Sequence, residues 1–172
     1  MKRLLSLVLA LLLLTSCATA DDAPATPPPN AAGMPYVLTD YDVAPVKFSE
    51  WKGTATFLNF FTTWCIYCRQ EMQDLKQLQA EYGDSLRVIL VHVPSGENAA
   101  AARAYLEEEG LTDMNFVADN GFISYMYSVS GFPTSVLIDK DGYLSAYYSG
   151  KIGLDTMRRA SEAAGAVAVE AK

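Results

Sequence analysis

Two cysteines three positions apart, Cys65 and Cys68, are the residues of this chain best suited to chemistry. They stand between an apolar run and a segment with helical periodicity, so we expect Cys65 at the N-terminus of a helix. A thiol in that position faces partial positive charge and free backbone N–H groups, which lowers its pKa below the ordinary value of about 8.5. A Cys-x-x-Cys pair there can form and open a disulfide without movement of the backbone.

The small number of cysteine and histidine residues restricts what this pair can do. The chain has 172 residues, three cysteines (17, 65 and 68) and one histidine, His92. The pair is compatible with a redox couple, a structural clip, half of a zinc site or a copper(I) site held by soft thiolates. Zinc is disfavoured because the chain has only one histidine and no second Cys-x-x-Cys. Copper(I) is disfavoured because His92 lies in a strand-like run, where a structural role is expected. The redox couple is favoured, and we expect neither a metal nor another cofactor.

The N-terminus has the pattern of a secretory signal peptide. Lys2 and Arg3 precede an apolar run at 4–14, which is shorter than the roughly 20 residues needed to span a bilayer. The following Leu-Thr-Ser-Cys (14–17) resembles the lipobox of bacterial lipoproteins, in which the signal is cut before a cysteine that becomes lipidated. This resemblance implies a lipoprotein signal peptide at 1–16 and a lipid on Cys17. An ordinary secretory signal cut within 18–20 is the alternative.

Composition divides the remainder of the chain into a tether, one domain and a tail. Residues 17–35 are rich in Ala, Pro, Thr and Asp and predict a flexible tether. The predicted domain covers 36–166, and 167–172 is expected to be a loose tail. The net charge of −7 becomes −7 − 2 = −9 once Lys2 and Arg3 are removed with the signal. Because Lys and Arg are not clustered anywhere, nucleic-acid binding is not expected.

Hydrophobic periodicity predicts an α/β domain. The apolar stripe Cys68, Met72, Leu75, Leu78 and Tyr82 has helical spacing and ends before Gly83. The other predicted elements are strands at 36–38, 46–48, 54–61, 86–93, 115–118, 134–138 and 143–148, and helices at 97–109, 121–129 and 154–164. This order gives a mixed sheet with helices on both faces.

Two separate segments resemble one known family. Residues 57–72 (FLNFFTTWCIYCRQEM) are similar to the active-site segment of the TlpA/ResA-type proteins, which are membrane-tethered thiol-disulfide oxidoreductases of bacteria. Residues 131–142 (GFPTSVLIDKDG) resemble that family's cis-proline strand and hairpin. The resemblance implies a thioredoxin-like fold, with a mixed central sheet, helices on both faces and a central insertion within 86–118.

The family resemblance assigns roles to particular residues. Cys65 is the attacking thiol and Cys68 the resolving thiol, and together they form the redox-active disulfide. Pro133 is expected to be cis beside that disulfide, although a trans proline at a strand start is the commoner case. Trp64, Tyr67 and Phe132 are expected to bind the substrate. Tyr67 departs from the family, which usually has proline before the second cysteine.

The proton acceptor for the resolving thiol is expected to be Glu71 or water. Glu71 matches a family glutamate that influences the protonation of the cysteines, and it is equally compatible with an ordinary surface position on a helix. Asn59 occupies the place where minimal thioredoxins have a buried aspartate. Because an amide cannot accept that proton, Asn59 leaves the role to another group.

The sequence therefore predicts a lipid-anchored extracytoplasmic thiol-disulfide oxidoreductase. The family implies reduction of disulfides in envelope proteins, for example in cytochrome c maturation or repair. The expected partners are these clients, a membrane electron donor of thiol type and, through Cys17, a bacterial membrane facing the periplasm. The protein is expected to be monomeric.

Three alternatives to this function stay open. Net oxidation of clients is the nearest enzymatic one, and a non-catalytic lipoprotein that holds a metal or a client in the Cys-x-x-Cys groove is another. Peroxidase activity is a weaker alternative, suggested by the spacing of Thr62 and Cys65. It is disfavoured because Leu58 replaces the proline of the peroxidase motif.

Overall fold

The computed structural model describes residues 53–169 and, before them, the backbone of two short strands. These strands, β1 (Val37–Thr39) and β2 (Pro45–Lys47), pair in antiparallel fashion. The expected signal peptide, the tether and Cys17 lie outside the described residues. The remaining elements are β3 (Ala55–Phe61), α1 (Ile66–Tyr82), one 3₁₀ turn (Gly83–Ser85), β4 (Leu86–His92), α2 (Ala99–Glu108), β5 (Asn115–Ala118), α3 (Phe122–Met126), β6 (Thr134–Ile138), β7 (Leu144–Ser149) and α4 (Leu154–Ala163).

A five-stranded mixed sheet, in the order β5-β4-β3-β6-β7, forms the centre of the domain. Strands β3, β4 and β5 run parallel, whereas β6 and β7 add in antiparallel fashion. All seven residues of β3 are buried, as expected for a central strand covered on both faces. The carboxyl ends of β3, β4 and β5 therefore meet the start of β6 at one edge of the sheet.

Alternate residues of β3 face two separate hydrophobic clusters. Phe57 and Phe61 belong to the cluster that also contains buried residues of α1, α2 and α4. Leu58 and Phe60 belong to the other cluster, together with Ile123 of α3. Helices therefore lie on both faces of the sheet, which confirms the architecture predicted from the sequence.

Helices α1 and α2 begin at different kinds of cap. Helix α1 begins after Cys65, whose Sγ accepts the Cys68 N–H at 3.1 Å, and it ends at Gly83, where φ is +51°. Helix α2 begins at Ala99, two residues later than predicted, because the Asn98 side chain accepts the Ala101 N–H at 3.0 Å. This late start leaves Glu97 in the loop between β4 and α2.

The residues after α4 run back along the far end of α1. The Val167 N–H donates to Ser85 Oγ at 3.0 Å, and the Val169 N–H donates to the Glu81 carbonyl at 2.8 Å. Residues 167–169, which the sequence placed in a loose tail, are therefore held by hydrogen bonds to the domain. In the part of the chain that the structure describes, no helix has the length and apolar character needed to cross a bilayer.

Candidate active site at the start of the first helix

Cys65 and Cys68 form a disulfide at the N-terminus of α1, with their Cα atoms 5.3 Å apart. Cys65 is 6% exposed, whereas Cys68 is completely buried one turn further along the helix. The Cys68 N–H points at Cys65 Sγ, so a backbone dipole faces the outer sulfur. Cys65 is the more accessible of the two residues, which is the arrangement needed for an attacking thiol and a resolving thiol.

The loop before β6 lies at the same edge of the sheet as the start of α1. The Phe132–Pro133 peptide bond is cis, as predicted. Thr134 pairs with Phe60 near the carboxyl end of β3, so Pro133 lies at the edge of the sheet from which α1 departs. The Pro133 carbonyl accepts the Gly150 N–H at 2.8 Å, which ties the loop to the end of β7.

Exposed apolar side chains lie next to the two cysteines in the chain. Trp64, Ile66 and Tyr67 are 60%, 64% and 58% exposed. The ring of Phe132 meets the Trp64 indole edge to face, with the centroids 5.9 Å apart. The two segments that carry these side chains, 62–68 and 128–138, contain no charged residue. The two segments that carry the three predicted substrate-binding residues are therefore uncharged.

Glu71 lies inside the protein, one helical turn after Cys68, and its side chain is fully buried. Its Oε1 accepts the Ile152 N–H at 2.5 Å, and its Oε2 accepts from Asn59 Nδ2 at 3.2 Å. Burial raises the pKa of Glu71 to about 7, even though both hydrogen bonds act to lower it. The interpretation of Glu71 as a surface residue is therefore wrong. Near neutral pH this carboxyl group can either give or take a proton.

Asn59 positions Glu71, a role that the sequence did not suggest. Besides its bond to Glu71, its Nδ2 donates to Ser135 Oγ at 3.2 Å. Asn59 and Ser135 are directly paired across β3 and β6. Asn59, which cannot accept a proton itself, thus positions Glu71, which can.

A second carboxylate, Glu97, is largely buried, and the sequence analysis assigned it no role. Its Oε1 accepts the Thr63 N–H at 2.6 Å, and its Oε2 accepts from Thr63 Oγ1. His92 Nε2 lies 3.1 Å from Oε1. Burial lowers the pKa of His92, so its imidazole is neutral at pH 7 and can donate this bond. A usable signal existed, because Thr63 and Glu97 follow neighbouring parallel strands and such strand ends meet at one edge.

Potential metal ligands are not grouped in the described part of this domain. Within residues 53–169, no three His, Cys, Asp or Glu side chains come close enough together to hold a metal ion. His92, which a metal hypothesis would need, is buried in β4 and bonded to Glu97. Its structural role, expected from the sequence, agrees with this position.

Curated proteins similar to this chain include a thioredoxin-like protein and a thiol-disulfide oxidoreductase. The chain is 36% identical over 100 residues to the thioredoxin-like protein YneN of Bacillus subtilis, covering 58% of each chain. It is 30% identical over 125 residues to the thiol-disulfide oxidoreductase ResA of Geobacillus kaustophilus, covering 72% of this chain and 71% of that one. The chain thus spans about three fifths of the length of YneN.

Solved structures and the family comparison agree with these relatives. A thiol:disulfide interchange protein of the thioredoxin family from Chlorobium tepidum matches with a TM-score of 0.65 and 25% identity. That match covers 83% of this chain and all of the other, which confirms the predicted thioredoxin-like fold. The Redoxin family matches residues 19–163. The chain therefore belongs to the Redoxin family and, within it, to the TlpA/ResA type that its two motifs resemble.

Proposed function

We propose that this protein is a thiol-disulfide oxidoreductase that reduces disulfides of client proteins outside the cytoplasm. The observation that carries the proposal is the cysteine pair at the start of α1, where Cys65 reaches the surface and Cys68 is buried. A fold alone would not support an activity, because one fold serves many functions. Here the support comes from the site itself and from relatives that carry the same named activity.

The proposed reaction transfers two electrons from the protein dithiol to the client disulfide. The Cys65 thiolate attacks one client sulfur, so that a mixed disulfide forms and the client S–S bond breaks. The departing client thiolate takes up a proton. Cys68 then loses its proton and attacks Cys65 Sγ, which forms the Cys65–Cys68 disulfide and releases the second client thiolate. The client is reduced to a dithiol and the protein is oxidised to the disulfide.

Glu71 is the proposed acceptor of the Cys68 proton. A carboxyl group with a pKa of about 7 is half ionised at neutral pH, so it can take up a proton and later return it. It lies on the same helix as Cys68, one turn away, and is held in place by Asn59 and the Ile152 N–H. Protonation of Glu71 would remove a buried charge, which favours the transfer.

Trp64, Tyr67 and Phe132 are the proposed contacts for the client. Trp64 and Tyr67 are exposed next to the two cysteines, and the partly buried ring of Phe132 contacts the Trp64 indole. The backbone beside Pro133 would pair with the client segment as a short added strand. Such contacts hold a client disulfide in line with Cys65, and they add apolar contact area that small disulfides cannot use.

The location and direction of the reaction rest on the sequence and the family. The signal pattern at 1–16 and the cysteine at 17 support export and a lipid anchor, with residues 17–35 as the tether of a domain at 36–166. The resemblance favours reduction of envelope clients, in cytochrome c maturation or repair, with a membrane thiol protein as electron donor. We propose a monomer on a membrane that faces the periplasm, with no cofactor beyond the two thiols.

Trapping the mixed disulfide tests the proposal. The reduced domain should reduce insulin, and Cys68→Ser should stop the reaction after the first step, leaving insulin covalently bound through Cys65. Cys65→Ser is the matched control and should trap far less, because its remaining thiol is buried. Stoichiometric retention of Cu(I) or Zn(II) with no disulfide turnover would overturn the proposal in favour of a binding lipoprotein.

A further inference from the structure

The loop between β4 and α2, residues 93–98, is fastened to the segment that leads into the cysteines. The Val93 N–H continues the β3–β4 pairing by donating to the Phe61 carbonyl at 3.0 Å. Three residues on from Phe61, Trp64 Nε1 donates to the Ser95 carbonyl at 2.8 Å. Between these points, Glu97 takes up both the N–H and the hydroxyl of Thr63.

The Glu97 carboxylate is the centre of these contacts. Its side chain is 10% exposed, and His92, which lies beneath it, is 1% exposed. Three donors converge on two oxygens: the Thr63 N–H, the Thr63 hydroxyl and His92 Nε2. Bonds to an ionised acceptor are shorter and stronger than bonds between neutral groups, and a carboxylate has lone pairs for all three. A neutral amide at this position has only one oxygen to offer.

The Trp64 indole is exposed but held at two points. One point is its bond to Ser95, and the other is the edge-to-face contact with Phe132. An exposed side chain on a surface loop ordinarily samples several rotamers, which must be restricted before it can bind a partner. Here the restriction already exists, and it connects the 93–98 loop to the cis-proline loop through the residue that precedes Cys65.

We propose that Glu97 is a positioning residue that, through Thr63, fixes Trp64 as one wall of the client groove beside Cys65. Neither Glu97 nor His92 touches the reacting sulfurs; they act through the segment 62–64. This inference rests on the proposed function for its consequence, which is tighter client binding. The anchoring of Trp64 is a property of the protein whether or not it turns over a client.

Substitutions at two positions test the proposal from both ends of the contact. Glu97→Gln leaves one acceptor oxygen for three donors, and Thr63→Val removes only the hydroxyl bond. Thr63→Ser keeps the hydroxyl and serves as the conservative rescue. Glu107→Gln, an exposed glutamate on α2, is the control for loss of one negative charge. Thermal unfolding first establishes that each variant is folded.

Time-resolved fluorescence anisotropy of Trp64 reports the anchoring directly. The chain has two tryptophans, so the measurement uses a Trp51→Phe background and the oxidised protein. Glu97→Gln and Thr63→Val should at least double the amplitude of nanosecond indole motion, whereas Thr63→Ser and Glu107→Gln should match the parent. An unchanged anisotropy decay in both folded test variants would overturn the proposal.

Insulin reduction reports the consequence for clients. In Glu97→Gln and Thr63→Val the half-saturating insulin concentration should rise at least threefold, while the maximal rate falls less than twofold. An equal loss in maximal rate with no change in half-saturation would overturn the proposal, because it would place Glu97 in the chemistry of the thiols. If the parent protein reduced no insulin at all, the proposed function would fail, and the anisotropy result would still decide the role of Glu97.

Discussion

The raised pKa of Glu71 results from its buried position on α1. The two donors that contact it, the Ile152 N–H and the Asn59 amide, are both neutral, so they offset only part of the cost of burying a charge. Its pKa rises from 4.5 to about 7 as a result. The same shift that suits Glu71 to proton transfer makes the ionised form unfavourable in the folded protein.

Glu71 should therefore make the protein less stable as pH rises. Between pH 4.5, its unfolded pKa, and about 7, its folded pKa, the folded state binds more protons than the unfolded state. The stabilisation is complete below 4.5 and is lost as pH approaches 7, by on the order of 3 kcal/mol. We expect the free energy of unfolding of the parent to fall over this range relative to Glu71→Gln, as measured by urea unfolding of the oxidised domain.

The Glu71→Gln variant is suited to this comparison because the site can accept an amide. Asn59 Oδ1 has no hydrogen-bond partner, so rotation of the Asn59 amide would present an acceptor to the introduced side-chain amide. Glu107→Gln, on the exposed face of α2, should keep the pH dependence of the parent. Identical pH profiles for the parent and Glu71→Gln would show that Glu71 ionises in the folded protein as it does in the unfolded chain.

The apolar stripe of α1 predicted the helix and could also have predicted the burial of Glu71. Glu71 is three residues after Cys68 and four before Leu75, so it lies on the stripe itself. Its charge suggested a surface position, but its place on the apolar stripe of the helix determines that it is buried. The contacts of Glu97 were harder to foresee, because they join two loops 34 residues apart and depend on how β3 and β4 align.

The predicted strands and helices agree closely with the observed ones, because hydrophobic periodicity depends only on residues that are near one another in the sequence. The runs that became β3, β4 and β6 are short and mostly apolar, and a glycine lies shortly before each of them. The start of α2 was placed too early because Glu97 and Asn98 are both plausible first residues by composition. Only the bond from the Ala101 N–H to Asn98 decides between them.

An ion pair ties the far end of α1 to α4. Arg158 donates from Nε and Nη2 to the two oxygens of Glu81, at 2.8 and 2.6 Å. Mainly through these bonds, Arg158 lowers the pKa of Glu81 to about 2. Because the pKa of Glu81 is lowered and that of Glu71 is raised, the two residues change the stability of the protein with pH in opposite directions. The stabilisation by Glu81 is present above pH 4.5 and is lost as pH falls toward 2.

Glu81→Gln should cost about 1 kcal/mol at pH 7, since the pair is bidentate but one third exposed. The cost should shrink in concentrated salt and disappear near pH 2. Urea unfolding at several salt concentrations measures it, because urea adds no ions. Asp141→Asn breaks the more exposed pair with Lys140 and should cost less than about 0.5 kcal/mol. If the two variants lost the same free energy of unfolding, the bidentate geometry of the Glu81–Arg158 pair would add no stability beyond that of an exposed ion pair.

The protein is acidic as a whole, but the segments around Cys65 are uncharged. The formal charge is −7, yet the segments that border Cys65 contain no charge. A negative surface keeps molecules apart in solution, whereas the apolar face lets a client approach without first displacing paired ions. A tether to a membrane would then confine this face to clients that pass near the bilayer.

The lipid anchor can be tested on the full chain in a bacterial host. If Cys17 is lipidated on its sulfur and its amino group, several acyl chains hold the protein, and such multiple acylation gives stable membrane attachment. The parent should fractionate with membranes and show the acyl mass on a peptide that begins at Cys17. Its reduced form should titrate as two thiols, because only Cys65 and Cys68 remain free.

Cys17→Ser removes the lipidated sulfur and should release the protein from the membrane fraction. Cys65→Ser/Cys68→Ser is the matched control, since it removes two thiols but keeps Cys17 and should stay on the membrane. A soluble parent protein whose N-terminus lies within 18–21, with no acyl mass, would contradict the anchor and favour an ordinary secretory signal. The redox proposal would survive that result, because the chemistry of Cys65 and Cys68 depends on α1 and the cis-proline loop rather than on the tether.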